Sequence, residues 1–245
     1  MGRSEGRRPQ GASGGPRRLS CAIETVGGAS LRTNTFERIR AGLAGFVGVP
    51  FAELADQLGV EGIDLPATRR KAFAGNMVEA MLGIAQNSLP DPDLDTIGAE
   101  VKSIPLLPDG RPRENTKVTS LTLRLVAEEA DFFTSHLYRK LRAILFLPVQ
   151  KNDNSRPHEW YLRPPFLWLP STEQLEVIRR EHAMYVEAIR NERWEKLSLE
   201  HGRYLGVNTS GQLTRGMARE DKRYAWWLKK ELTTSILKEN LDPFV

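Results

Sequence analysis

The sequence predicts a mixed α/β (α+β) fold, and three observations carry that prediction. Apolar residues take helical spacing in the first third of the chain, and alternating, β-branched patterns follow from about residue 97. The last third mixes the two patterns, an order that suits layers of helix on sheet rather than a bundle or solenoid, and no internal repeat is present. At 245 residues the chain can bury one good core, or two small lobes, without disulfides.

In chain order, residues 1–18 are rich in Gly, Arg, Ser and Pro and nearly free of apolar side chains. Such a segment cannot offset its ordering entropy, so residues 1–28 are expected to be a disordered Arg/Gly-rich tail and 29–245 the folded part. Helical spacing starts near Thr35 with Phe36, Ile39, Leu43 and Phe46. Pro50 precedes a short helix over 51–58, and a longer one is expected over 66–85, with Phe73, Met77, Ala80, Met81 and Ile84 on one face. Stretches 97–107 and 118–126 suit strands, with Asp109-Gly110 marking a hairpin-like connection. A short helix over 133–141 leads into 143–149, a continuous apolar run that suits a buried central strand. Residues 160–169 are extended and broken by Pro164-Pro165; Ser171 with Gln174 then forms a capping box for a helix reaching Arg190. A helix at Trp194, strands over 204–207 and 224–229, and a helix over 233–239 complete the chain.

Composition narrows the function classes. Cys21 is the only cysteine, which excludes an intrachain disulfide framework or a multi-cysteine zinc site and fits a reducing, cytoplasmic setting. No stretch approaches the roughly 20 apolar residues of a membrane span, and no apolar signal core is seen at the N-terminus, so the protein is expected to stay where it is made. The pI near 9.3 points less to nucleic acid than it first suggests. Arg3, Arg7, Arg8, Arg17 and Arg18 against Glu5 give +4, equal to the whole formal net charge of +4, so residues 21–245 sum to zero. The tail reads as a solvated segment that could add non-specific phosphate affinity. Local clusters carry more: Arg69-Arg70-Lys71, Arg139-Lys140 with Arg142, and Lys229-Lys230.

The informative segment is Asp93-Leu94-Asp95-Thr96-Ile97-Gly98-Ala99-Glu100-Val101-Lys102. On a strand, alternate side chains share a face, so Glu100 and Lys102 project together among Ala99, Val101 and Ile104. Phosphodiester hydrolysis explains the pattern: Mg²⁺ takes one or two carboxylates plus substrate phosphate, which Asp93 and Glu100 can supply, while Lys102 orients water and offsets developing charge. The same pattern alone also fits a surface strand with a solvated Glu–Lys pair. Glu79 sits among Met77, Val78, Ala80 and Met81, where a carboxylate is costly to bury unless paired or metal-bound; in isolation it reads equally as an edge residue facing solvent. Lys140 is a second lysine available to phosphate, or else part of a solvated helix face. Asp91, Asp93 and Asp95 leave open which aspartate would bind metal. His136, His158, His182 and His201 show no metal-ligand spacing, and Gly27-Gly28 lacks the context of a nucleotide loop. Trp226-Trp227 beside Lys229-Lys230 suits either a stacking surface or core packing.

At these residues the sequence resembles the MutH family of mismatch-repair endonucleases, whose core is shared with the Sau3AI-type restriction enzymes. The likeness runs from about residue 35 to 241. It is strongest over 71–83, at Asp93, and over 97–105 (Ile97-Gly98-Ala99-Glu100-Val101-Lys102-Ser103-Ile104-Pro105). Further matches are Gly110-Arg111-Pro112 with Glu114, Thr134-Ser135-His136, Lys140-Leu141, His201-Gly202 with Tyr204-Leu205, and Leu228-Lys229-Lys230. The resemblance implies a restriction-endonuclease-like fold with a central mixed sheet flanked by helices and two lobes around a DNA cleft. It implies a catalytic centre of Glu79, Asp93, Glu100 and Lys102 with Lys140 near the scissile phosphate, and its spacing selects Asp93, with Glu100 and Glu79, for the metal. It further implies a Mg²⁺-dependent enzyme, with Mn²⁺ able to substitute, that nicks the unmethylated strand at a GATC-like site. Such an enzyme acts on double-stranded DNA as a monomer, under activation by a MutL-type partner.

The expected DNA contacts are Lys71, Glu114, Lys117, Asn208, Ser210, Trp227, Lys229 and Lys230. Several of these depart from the family. An Arg-Pro-Lys base-reading run is replaced by Asn208-Thr209-Ser210, an aromatic position by Lys117, and a methyl-sensing tyrosine by Trp227. Asn or Ser cannot reproduce the bidentate arginine contact to guanine, so target sequence and methylation sensing stay open. Two alternatives therefore stand beside the repair enzyme: a standalone restriction endonuclease of the same fold with its own target, and a catalytically silent DNA-binding module. The intact acidic set speaks against the last.

Overall fold

The computed structural model describes residues 28–61, 73–84, 91–151, 156–210 and 223–241, with side chains from residue 34 onward. The chain opens with helices α1 (Gly28–Leu43), α2 (Phe51–Leu58) and α3 (Phe73–Leu82). Phe51, Leu54, Ala55 and Leu58 bury the i, i+3, i+4, i+7 face of α2, and Gly59 at φ +65° ends it by returning its N–H to Ala55 and Asp56. The expected start of the third helix, the basic cluster with Lys71, and the Arg-rich tail lie outside the described residues.

Strand β1 (Glu100–Leu106) follows, then β2 (Thr116–Leu121), α4 (Leu123–Glu128), α5 (His136–Leu141) and β3 (Ile144–Gln150). The short strands β4 (Tyr161–Leu162) and β5 (Phe166–Trp168) lead to the long helix α6 (Thr172–Arg190), and β6 (Leu205–Thr209), β7 (Tyr224–Leu228) and α7 (Lys230–Asn240) close the fold. The capping box on α6 is present: Ser171 Oγ accepts the Gln174 N–H at 3.1 Å and Gln174 Oε1 accepts the Ser171 N–H at 3.0 Å.

The mixed α/β class holds. In the mixed sheet β1 runs parallel to β3, which pairs antiparallel with β4 and β5. A second sheet, β2-β7-β6, is antiparallel throughout. All seven residues of β3 are buried, as a continuous apolar run requires. Ile144 and Phe146 enter a core built with α6, α7 and the second sheet, whereas Leu145, Leu147 and Val149 enter a core built with α1, α2 and α3.

Two elements differ from the expected pattern. Stretch 118–126 is not one strand: β2 ends at Leu121, and α4 begins two residues later. Leu123 and Val126 are one helical turn apart, so helix places both against the core while Leu125 faces water. The Asp109-Gly110 turn does close, through Gly110 N–H to Leu107 O at 2.9 Å and Leu107 N–H to Arg111 O at 2.8 Å. Yet β1 and β2 enter different sheets. Pro105 accepts the Arg113 N–H but has no N–H to return, so the ladder stops after the Leu106–Pro112 bridge and the chain is released to pair with β7.

One carboxylate ties α6 to the second sheet: Glu181 accepts the backbone N–H groups of Tyr204 at 3.0 Å and Leu205 at 2.7 Å, and that of Arg203 as well. The turn is tight enough that a β-carbon on Gly202 would overlap the Leu205 carbonyl oxygen. Backbone cannot yield as a flexible side chain can. Gly202→Ala should therefore cost about 3 kcal/mol, read as a lower urea midpoint at unchanged m-value; a wild-type midpoint would mean that the turn relaxes freely.

Candidate active site

Glu100 is the first residue of β1 and is only 4% exposed. Its side chain shares a face with Lys102, Ile104 and Leu106, so a carboxylate starts a row that turns into core. Asp93 reaches the same place through a turn. Leu94 and Ala99 pair across it, through Leu94 N–H to Ala99 O at 2.9 Å and Ala99 N–H to Leu94 O at 3.2 Å, and Gly98 takes φ +61°. Asp93 Oδ2 then accepts the Val101 N–H at 3.0 Å. The six-residue gap between Asp93 and Glu100 is thus one closed turn that folds the aspartate back onto the strand.

Lys140 arrives from α5. Ser135 Oγ caps that helix on the Tyr138 N–H at 3.0 Å, and Glu129 accepts the His136 N–H at 3.3 Å while its other oxygen pairs with His182 Nε2 at 3.0 Å. So fixed, α5 places the Lys140 ammonium 2.8 Å from Glu100 Oε2 and 4.0 Å from Asp93 Oδ1, and it donates to the Asp91 carbonyl. Lys102 donates to the other oxygen, Glu100 Oε1, at 2.6 Å. The buried carboxylate therefore carries one ammonium on each oxygen, the arrangement that offsets its desolvation.

These groups line one cavity of about 720 Å³. Glu79 stands on its α3 wall, Lys117 and Trp227 on the wall formed by the second sheet, Glu114 on the loop ahead of β2, and His136 and Lys151 also face it. Glu79 shares the cavity but does not join Asp93 and Glu100 in a metal cage: among the described residues no three Asp, Glu, His or Cys side chains cluster as ligands. Lys117 and Trp227 face each other across β2 and β7, and Lys117 donates to Ser210 Oγ at 2.9 Å. Burial, with the charges of Lys102 and Arg223, pushes the Lys117 pKa down. The tryptophan pair divides: Trp226 packs in the core against His182 and Tyr185, and Trp227 borders the cavity.

Other expected contacts lie apart from this cavity. Asn208 is exposed on β6. Lys229 spends its ammonium on the Gly202 carbonyl, and Lys230 gives its backbone N–H to Asn115 Oδ1 at 2.8 Å.

A family model described as DNA mismatch repair enzyme MutH matches residues 82–181, the stretch that holds Asp93, Glu100, Lys102 and Lys140. The DNA mismatch repair protein MutH of Actinobacillus pleuropneumoniae is 30% identical over 208 residues, covering 81% of this chain and 90% of the relative. The chain belongs to the MutH family. The family's proteins from Haemophilus influenzae (25% identity over 217 residues, 85% of this chain and 96% of the relative) and Vibrio parahaemolyticus (29% over 199 residues, 78% and 87%) agree. With MutH membership comes the restriction-endonuclease-like α/β fold that the resemblance implied.

The pattern of residues did not single out His136 as a wall of the cavity or Lys151 at all. Lys151 follows the buried strand directly, so its distance from the acidic motif in sequence hides its place in space. The difference in burial between the two lysines on Glu100 gives a direct test, their side chains being 6% (Lys140) and 21% (Lys102) exposed. Lys140→Ala, which strips a buried charge of a buried partner, should cost about 3 kcal/mol in urea unfolding. Lys102→Ala should cost about 1 kcal/mol or less, because water screens that lysine. Equal losses would contradict the arrangement.

Proposed function

We propose that this chain is a Mg²⁺-dependent endonuclease of methyl-directed mismatch repair that nicks the unmethylated strand of double-stranded DNA at a GATC-like site. The observation that carries it is the meeting of Asp93, Glu100, Lys102 and Lys140 on the wall of one cavity. A hard cation suits the donors. Asp93 and Glu100 already flank a positive charge, the Lys140 ammonium, and Mg²⁺ is held by one or two carboxylates with substrate phosphate rather than by an all-protein cage. Mn²⁺, with the same preference for oxygen, would substitute. Bound there, the metal would supply charge neutralisation on the phosphate and easier deprotonation of water.

The chain's own residues do the rest. Asp93 and Glu100 hold the cation, with Glu79 facing the same space from α3. Lys102 holds its ammonium at the mouth of the pair, where it orients the attacking water and offsets charge that grows in the transition state. Lys140, fixed by the Asp91 carbonyl, takes an oxygen of the scissile phosphate. Glu114, Lys117 and Trp227 face the bases from the opposite wall, with Ser210 orienting Lys117. The enzyme acts as a monomer in the cytoplasm, started by a MutL-type partner; among the described residues no helix is long and apolar enough to cross a membrane.

The Lys117–Ser210 bond and Trp227 occupy positions where the family resemblance implies other side chains, and this favours a second reading: a standalone restriction endonuclease with its own target. Supercoiled plasmid with Mg²⁺, with and without a MutL-type protein, separates the two. Helper-dependent nicks support the repair enzyme, helper-independent double-strand cuts the restriction enzyme, and no cleavage in either condition overturns both. Glu100→Ala and Lys102→Ala should each reduce cutting by at least about 100-fold while DNA binding without metal persists. Wild-type rates in either variant would remove the site assignment.

A further inference from the structure

Lys151 follows β3 immediately, and the sheet sets its backbone, its N–H reaching the Leu106 carbonyl at 3.3 Å. Its ammonium lies 3.7 Å from the centroid of the Trp160 ring, which is 8% exposed and packs against Phe73. That stacking holds the charge in one place on the cavity wall. Among the described residues no carboxylate lies within ion-pairing distance of this ammonium, and it donates no hydrogen bond to them. The charged groups that face it are Arg113 and Glu114, from the loop ahead of β2. A half-buried cation with its donors unspent is costly unless an anion completes it. Burial pushes its pKa down to about 8, Arg113 adding to the fall and Glu114 opposing it.

The distance to the acidic centre selects the anion. Glu100 pairs with Ile144, and Lys151 lies seven residues further along the same strand, about 23 Å at 3.3 Å per residue. An anion that reaches both ends of the cavity is extended and repeats its charge, as a nucleic-acid backbone does.

We propose that Lys151, seated on Trp160, takes a backbone phosphate of the bound duplex that flanks the one being cut. The assignment rests on the nuclease reading above but adds a residue that reading does not use.

The test is fluorescence anisotropy of the full chain on a labelled duplex, without divalent metal, across a KCl series. Lys151→Met should weaken binding about three- to fivefold at 100 mM salt and flatten the slope of log affinity against log salt by about 0.9. Lys151→Arg should keep the wild-type slope. Raising the pH from 7 to 9 takes the free lysine through its pKa, so the wild type must then take up a proton to bind and should lose affinity relative to Lys151→Arg. Lys117, whose pKa burial also lowers, is present in both proteins, so their difference isolates Lys151. Circular dichroism checks folding, and if Lys151→Met fails to fold, the Arg comparison still decides. A wild-type slope in Lys151→Met, or parallel pH profiles for wild type and Lys151→Arg, would overturn the proposal. A wild type that binds no duplex would instead bring down the nuclease reading, and the phosphate seat with it.

Discussion

Strand β3 is buried on both faces, and the positions of the charged groups follow from that constraint. Its odd and even residues feed two separate cores, so it has no face left for a charge. A carboxylate can sit only on its neighbour, and only where the neighbour begins. Glu100 is that residue, opposite Ile144. Parallel pairing has a further consequence, because two parallel strands need a long crossover between them. Here the crossover carries β2, α4 and α5, and it must return to the start of β3. Residues just ahead of Ile144 therefore land beside Glu100, and Lys140 is four residues ahead. The parallel register brings lysine and glutamate together.

The charges then hold one another. Glu100 gives one oxygen to Lys102 and the other to Lys140, and Asp93 is tied to the strand by the Val101 N–H. Buried pairs of this kind contribute little net stability against an apolar replacement, since desolvation cancels most of the attraction. Their effect is on geometry: removing Lys140 leaves the buried Glu100 charge without its buried partner. The same low-dielectric setting would make each group act strongly on a phosphate brought among them. A positioning shell surrounds the set. Glu129 joins His182 on α6 to the start of α5, and Ser135 caps that helix, so Lys140 is aimed by groups that never reach the cavity centre.

Lys151 extends this logic along the strand. At the start of the sheet, positive charge answers protein carboxylates. Beyond its far end, an ammonium rests on an indole ring, and among the described residues no carboxylate completes it. The contrast separates charges that the fold uses for itself from one it leaves to a ligand.

Much of the fold was legible in the residues: the α2 face, the Ser171–Gln174 capping box and the apolar run of β3 all declare themselves through local spacing. So does the acidic motif, since Glu100 and Lys102 must share a face on any strand, and the likeness of 71–83 and 97–105 to MutH already pointed to the family. What local spacing could not settle was decided by pairing. The chain leaves its Asp109-Gly110 turn for a second sheet because Pro105 has no N–H to continue the ladder, and 123–128 is helix because only that period puts Leu123 and Val126 both on the core. Trp226 and Trp227 look alike in sequence but point to core and cavity on opposite faces of β7. Sequence alone determined which residues could carry the chemistry, because residue type and strand period are local properties. Only the tertiary structure decided that Lys140 completes Glu100 and that Lys151 shares their cavity, because those meetings depend on strand register and on a crossover that no local pattern records.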